Sequence, residues 1–530
     1  MRDARRRPSR AHRFVQFALS VVFGAAILVN IQAFLINDTR EAALHITAAV
    51  FLTYLLAECL VYIRRSDALG LFSPVLMASF FLFFLGYSVG ATASAFDPWI
   101  IGRHGEFLDN LPFEFAASTL LLAATAAFGM WRGYYFALRV AKRLRVTAQR
   151  WAPALRSSAI LNWPAILGLE FGHLLLTVFA VAIGVYGVTS VAESRSQNLA
   201  ILDLLNTGIA AGNLSFFLFT VRYETARATR RLKPGYSAVF YSLLALHLFT
   251  GVLTAFKSQF VFPFLIVVAA RFVATKRVST GYLHLAALAL FVAYQTVEPY
   301  RAYLGQAFER PDSILQIVEG YKEAFDNRER YASQEGASFV QQLASRLDVL
   351  GASSIAVKFA DEGLAKGGMR EKLQRSIFLA PILAFVPRAI WTGKESYNTG
   401  TWFAQRVLKR PSTSRTSIGM GPVGFLSIAG GRLGVFIGFF ALGCLQAIFF
   451  DGFARSGAGG FVIFLGVANF LIIVPSDFGP ALTGALRLIP FAFLAQFVLL
   501  HGRSNSSRLA VSTQILNGYD RVDREPNAAP

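Results

Sequence analysis

MRDARRRPSRAHR at residues 1–13 runs directly into FVQFALSVVFGAAILVNIQAFL at 14–35. A helix needs about 20 mostly apolar residues to cross a bilayer, and the second stretch has that length. It is longer than the core of a secretory signal and ends in no small-residue cleavage motif, so a retained first helix is expected. The arginine-rich leader belongs on the cytoplasmic side, because basic flanks resist translocation.

The pattern repeats along the chain. Apolar runs predict helices at Phe14–Leu35, Ala42–Ile63, Leu71–Phe96, Pro112–Leu138, Trp163–Tyr186 and Leu199–Val221. Further runs lie at Tyr236–Phe256, Phe260–Ala274, Tyr282–Val297, Leu433–Phe450, Phe461–Val474 and Ala481–Leu500. The fold class is therefore all-α, a polytopic integral membrane bundle of about twelve helices. Loop charge tests the count. With the N-terminus cytoplasmic, the inner loops hold Arg64 and Arg65, then Arg139, Lys142, Arg143, Arg145, Arg150 and Arg156. The next inner loops hold Arg222, Arg227, Arg230, Arg231 and Lys233, then Lys276 and Arg277. The outer loops around Asp38–Glu41, Asp97–Asp109 and Glu193–Arg195 are short and not basic. A miscount by one helix would scramble this alternation.

Composition agrees. The chain is 55% hydrophobic, 15% charged and carries 50 Phe, which points to lipid as the solvent. The net charge of +20 would suggest nucleic acid in a soluble protein, but no nucleic-acid motif accompanies it. Cys59 and Cys444 sit in apolar runs without metal-ligand spacing, so neither a disulfide framework nor a zinc motif is implied.

Four segments follow: residues 1–297, a first membrane bundle; 298–432, a large extracytoplasmic loop; 433–500, the last three membrane helices; and 501–530, a polar, disordered cytoplasmic tail. A loop of roughly 130 residues is unusual, since connections rarely exceed about 12–15 residues without a functional reason. Inside it, Asp312–Ala332 and Phe339–Phe359 have apolar residues at helical spacing and predict amphipathic helices. Ile377–Val386 is too short to span and suits a re-entrant or interfacial piece. FVPRAIWTGKESYNTG at 385–400 then interleaves Arg388, Trp391, Lys394 and Glu395. Trp391 and Lys394 equally suit anchoring at the membrane boundary. The loop ends, after Arg415, in TSIGMGPVGFLSIAGGRLG, whose glycines permit close approach or tight re-entry.

Further charges fall at the same outer level. Lys257 occupies the tight turn TAFKSQF, Glu298 and Arg301 mark the exit of the ninth helix, and Asp477 lies between the last two helices. Arg487, inside the final helix, belongs on an interior face. Glu58, Glu170, His173, Asp203 and His247 also fall within spans. Interhelical hydrogen bonding is the first reading for them, with a proton relay or ion site as the alternative.

Arg346-Leu347-Asp348, then FVPRAIWTGK, then a glycine-rich run entering a helix, resembles the bacterial O-antigen polymerase family, the polymerases of oligosaccharide repeat units. The matching positions are Arg346, Pro387, Arg388, Trp391 and Lys394, with Lys257 and Ser258 matching a small-Lys/Arg-Ser turn. The match departs at Glu395, where a proline is common, and in GFLSIAGGRLG, which lacks the family's acidic residue. The resemblance implies a glycosyltransferase at the outer leaflet of the bacterial inner membrane, with both termini cytoplasmic and no metal or soluble cofactor. Its substrates would be polyprenyl-pyrophosphate-linked oligosaccharides, and membrane lipids, a flippase and a chain-length regulator would be its partners. Lys257, Arg301, Arg346, Arg388, Trp391, Lys394, Arg415 and Arg487 would bind pyrophosphate and glycan, the cations offsetting the leaving group's charge. Glu298, Glu395 or Asp477 would serve as base, and the residues do not choose among them. An O-antigen ligase would look alike, and a lipid-linked-sugar transporter or flippase is the reading from another class.

Overall fold

The computed structural model describes residues 10–37, 39–97, 113–151, 160–161, 163–187, 199–232, 234–275, 277, 279–306, 314–327, 348–363, 368–379, 382, 399–410 and 418–473. Beyond these it describes 478–479, 482–483, 485–486, 488–490, 493 and 500–501. The described chain is helical, apart from a two-residue antiparallel pairing of Ile160–Leu161 with Leu500–His501.

The helices are α1 (Arg10–Ile36), α2 (Thr39–Arg65), α3 (Pro74–Ala93), α4 (Phe113–Trp151), α5 (Trp163–Ala182), α6 (Leu199–Ala228) and α7 (Tyr236–Thr254). They continue as α8 (Lys257–Thr275), α9 (Thr280–Gln306), α10 (Ile314–Asp326), α11 (Leu350–Asp361), α12 (Gly368–Phe378), α13 (Gly421–Ala447) and α14 (Ala458–Ile473). Among the described residues, eight helices are long and apolar enough to cross a membrane. That is fewer than the expected count. α6 is not among the eight, the apolar stretches of α8 (Gln259–Thr275) and α14 (Gly460–Ile472) fall short in length, and most of Ala481–Leu500 lies outside the described residues.

The chain forms two compact units. Unit 1 comprises Met1–Ala148, Ser338–Ser456 and Ile463–Pro490; unit 2 comprises Gln149–Ala337, Gly457–Val462 and Phe491–Pro530. The expected loop 298–432 is thus divided between them.

In unit 1, α4 and α13 cross at a glycine notch. A Cβ at Gly133 would collide with the backbone of Phe440, and one at Gly443 with the backbone of Met130. Small residues there let two apolar helices touch backbone to backbone. One end of the unit is tied by ions. Arg455 grips Asp67 through two bonds of 2.8 and 2.9 Å, and its Nε lies 3.0 Å from Asp451. Tyr134 donates to Asp451, and Ser73, just before α3, donates to Tyr134 at 3.4 Å. The end of α2 and the chain after α13 therefore share one end of the unit.

The other end of α3 meets α11. Here two expectations are corrected. The helix expected over Phe339–Phe359 is described only from Leu350, and in that part Leu350 to Val357 are buried on every side, with no amphipathic face. A helix buried all round has no polar face to show, and LGASSIAV is small and apolar enough to fit between neighbours.

The membrane helix expected to begin at Leu433 is preceded by a second helical arm. α13 breaks at Gly431, whose φ of 65° and ψ of −166° suit glycine alone. Gly434 lies within contact of the Leu426 carbonyl, at 3.2 Å from where its Cβ would stand, and Gly438 meets the Leu426 side chain. Residues eight apart in a continuous helix would be about 12 Å apart along its axis. The first arm therefore folds back on the second, and Gly421 to Ala429 are buried throughout. Gln374 of α12 donates to the Ala429 carbonyl at 2.8 Å, satisfying an acceptor left free at the arm's end. The glycine-rich run thus makes a close backbone approach, which its glycines permit.

Candidate functional site

Unit 2 gathers one end of α5, the turn between α7 and α8, and the junction of α9 with α10. Val181, Ala255, Ala293, Val297, Tyr300, Ile317 and Ala324 form one buried cluster. Ala255, in the left-handed conformation, stands two residues before Lys257, the first residue of α8. Tyr300 stands beside Arg301, which is half-buried, and Pro299 lies inside α9 between Glu298 and Tyr300.

α10 packs on this end as an amphipathic helix. The Tyr321 ring stacks on Tyr300 at 3.9 Å, and its hydroxyl donates to the Val252 carbonyl at 3.2 Å. Tyr303 stacks beyond Tyr300 at 6.3 Å. Ile317 and Ala324 carry the buried face, whereas Val318 and Phe325 are exposed. Burial pushes the Tyr321 hydroxyl above its ordinary pKa, with Tyr300 adding to the rise and Arg301 opposing it. Two of the expected cations, Lys257 and Arg301, therefore belong to segments that meet over one tyrosine-lined cluster.

In unit 1 the expected motif residue Asp348 is buried where α11 begins. Its carboxylate accepts from Leu350 N–H at 3.0 Å and Gly351 N–H at 3.1 Å, two donors that a helix start leaves free. Val349 N–H donates to the Gly86 carbonyl of α3 at 2.7 Å. A Cβ at Gly90 would collide with the Asp348 carboxylate. Burial pushes the Asp348 carboxyl up to about 7, against the pull of the Gly351 and Leu350 N–H groups. Below it, Tyr87 lies 3.1 Å from Ser353 Oγ, accepts from Val423 N–H at 3.3 Å, and Ser353 donates to the Met420 carbonyl at 2.9 Å. These bonds lock α3, α11 and the first arm of α13 together.

Between the helices of unit 2 lies a third group. Glu170 of α5 accepts from Ser215 of α6 at 2.6 Å, and its other oxygen is 3.0 Å from His247 Nε2 of α7. His173, one turn from Glu170, places its ring 5.4 Å from that of His247. The Phe216 ring packs on His247 at 4.5 Å. A Cβ at Gly212 would collide with the His173 ring, so glycine leaves room for the imidazole.

Of the site residues expected from sequence, Lys257, Glu298 and Arg301 fall in described helices. Arg346, Arg388, Trp391, Lys394, Glu395, Arg415, Asp477 and Arg487 lie outside the described residues. Sequence reasoning passed over Asp67, Tyr134, Asp451 and Arg455. A charged pair flanking the end of an apolar run was their available signal. Comparison with known families, with characterised proteins and with solved structures finds no match to this chain.

Proposed function

We propose that the chain is a bacterial inner-membrane glycosyltransferase that joins polyprenyl-pyrophosphate-linked oligosaccharide repeat units into a surface polysaccharide. An acceptor hydroxyl on one carrier-linked unit attacks the anomeric carbon of another. The bond to pyrophosphate breaks, the carrier diphosphate leaves, and the hydroxyl proton passes to a carboxylate, Glu298, Glu395 or Asp477. Arg388, Arg346 and Lys257 offset the charge that develops on the diphosphate, with Arg301 and Arg415 behind them.

The observation that carries this reading is the meeting of the Lys257 turn and the Arg301 junction over the Tyr300–Tyr321 stack. Two cation-bearing segments that meet at one aromatic cluster suit a diphosphate joined to sugars. The second support is the way the long segment between α10 and α13 is built: α11 and the first arm of α13 are wedged among apolar helices, as a working element would be and a tether would not.

The test is the length distribution of surface glycan in a deletion strain complemented with Arg388→Ala, Lys257→Ala or the wild type. Single repeat units on the surface glycolipid support polymerisation. A full-length ladder from Arg388→Ala contradicts it. Long chains that stay on the carrier, untransferred to a lipid core, would instead assign the chain as the ligase.

A further inference from the structure

We propose that Glu170, His173 and His247 bind a divalent transition metal of the zinc class inside unit 2. One donor atom from each lies within 4.8 Å of those of the other two, and the side chains are 4%, 5% and 3% exposed. Donors about 2 Å from a tetrahedral metal stand about 3.3 Å from one another, so only small side-chain rotations separate this arrangement from a coordination shell. Two imidazoles and one carboxylate are a familiar donor set for zinc, with a fourth position left for water or substrate. Imidazole donors disfavour magnesium and calcium, which take oxygen.

Hydrogen bonding between helices explains less of what is seen. One imidazole satisfies one carboxylate, and His247 already does so. His173 then adds a second buried imidazole at the same point, at the cost of leaving water. The surroundings are also those of ligands held in place. Ser215 fixes the far oxygen of Glu170, Phe216 fixes the plane of His247, and Gly212 clears the space that the His173 ring fills. Such outer contacts orient ligands and set affinity. With a divalent ion bound, one carboxylate and two neutral imidazoles leave a net positive charge that an anionic fourth ligand would offset.

The test uses the full-length chain in detergent, stripped with a chelator and titrated with cobalt(II), whose visible bands report tetrahedral nitrogen and oxygen ligands. One equivalent is expected to bind, to be displaced by zinc, and to be lost in Glu170→Gln and in His173→Gln. Ser215→Ala should weaken binding about tenfold. Zinc added to the stripped wild-type chain should raise its unfolding temperature, a readout that needs no variant to fold. Cobalt uptake unchanged in His173→Gln overturns the proposal, as does a wild-type unfolding temperature that zinc does not move.

Discussion

Asp348 in unit 1 and Glu170 in unit 2 are both carboxylates taken out of water, and their partners differ in kind. Asp348 is held by backbone N–H groups at the start of α11, which carry partial charge only. Glu170 is held by a hydroxyl and an imidazole, both side chains from neighbouring helices. The first is a structural lock whose ionisation works against burial. The second is a buried polar centre shared by three helices, and the place where a metal ion is proposed. Variants at the two places should therefore fail in different ways.

The largest effect is expected at the scaffold around Asp348. Gly421 has a φ of 71° and a Cβ there would strike Ser353 Oγ, so Gly421→Val combines backbone strain with overpacking. The cost is about 4 kcal/mol, read as a fall in unfolding temperature in detergent. An unchanged temperature would mean that the first arm of α13 does not pack on α11.

Asp348→Asn comes next, through pH. The carboxyl's folded pKa of about 7 lies above the ordinary value for an aspartate. Its stabilising contribution is then fully present below the unfolded pKa and is lost as pH rises through about 7. Across pH 5–8 the wild type should lose on the order of 3 kcal/mol from this group, and Asp348→Asn should not. Equal pH responses of the two proteins would show that the carboxylate has partners beyond the two N–H groups.

Glu170→Ala leaves a buried hydroxyl and imidazole without their acceptor and should cost about 2 kcal/mol. Arg432→Ala marks the lower end. The Arg432–Asp361 pair spans 2.8 Å but Arg432 is 67% exposed, so its loss should move stability by less than about 0.5 kcal/mol. A larger loss would make that pair part of the hold between α11 and α13.

The helices up to α9 were legible because length, apolarity and loop charge report on one property, transfer into lipid. The buried helices of the long segment were not. Val340, Leu343, Leu347 and Leu350 keep helical spacing on both sides of Asp348, and spacing alone does not show that a carboxylate will cap a new helix there. Burial on every side of α11 leaves no periodic contrast to read. The fold-back at Gly431 was half legible: glycine pairs announce close approach, but the partner, Leu426, is set by packing. Pairings over distance were illegible. Glu170 and His247 are 77 residues apart, and Asp67 and Arg455 are 388 apart. Of the candidate site, the turn of Lys257 and the exit at Arg301 were each visible singly, and their meeting over Tyr300 and Tyr321 required the fold.

The most direct measurement is chain elongation by the purified protein in lipid vesicles supplied with polyprenyl-diphosphate-linked repeat units. The account predicts a ladder of longer carrier-linked glycans with release of carrier diphosphate, reduced at least about 100-fold by Arg388→Ala. Substrate that stays one repeat long, or that only changes leaflet, would contradict it.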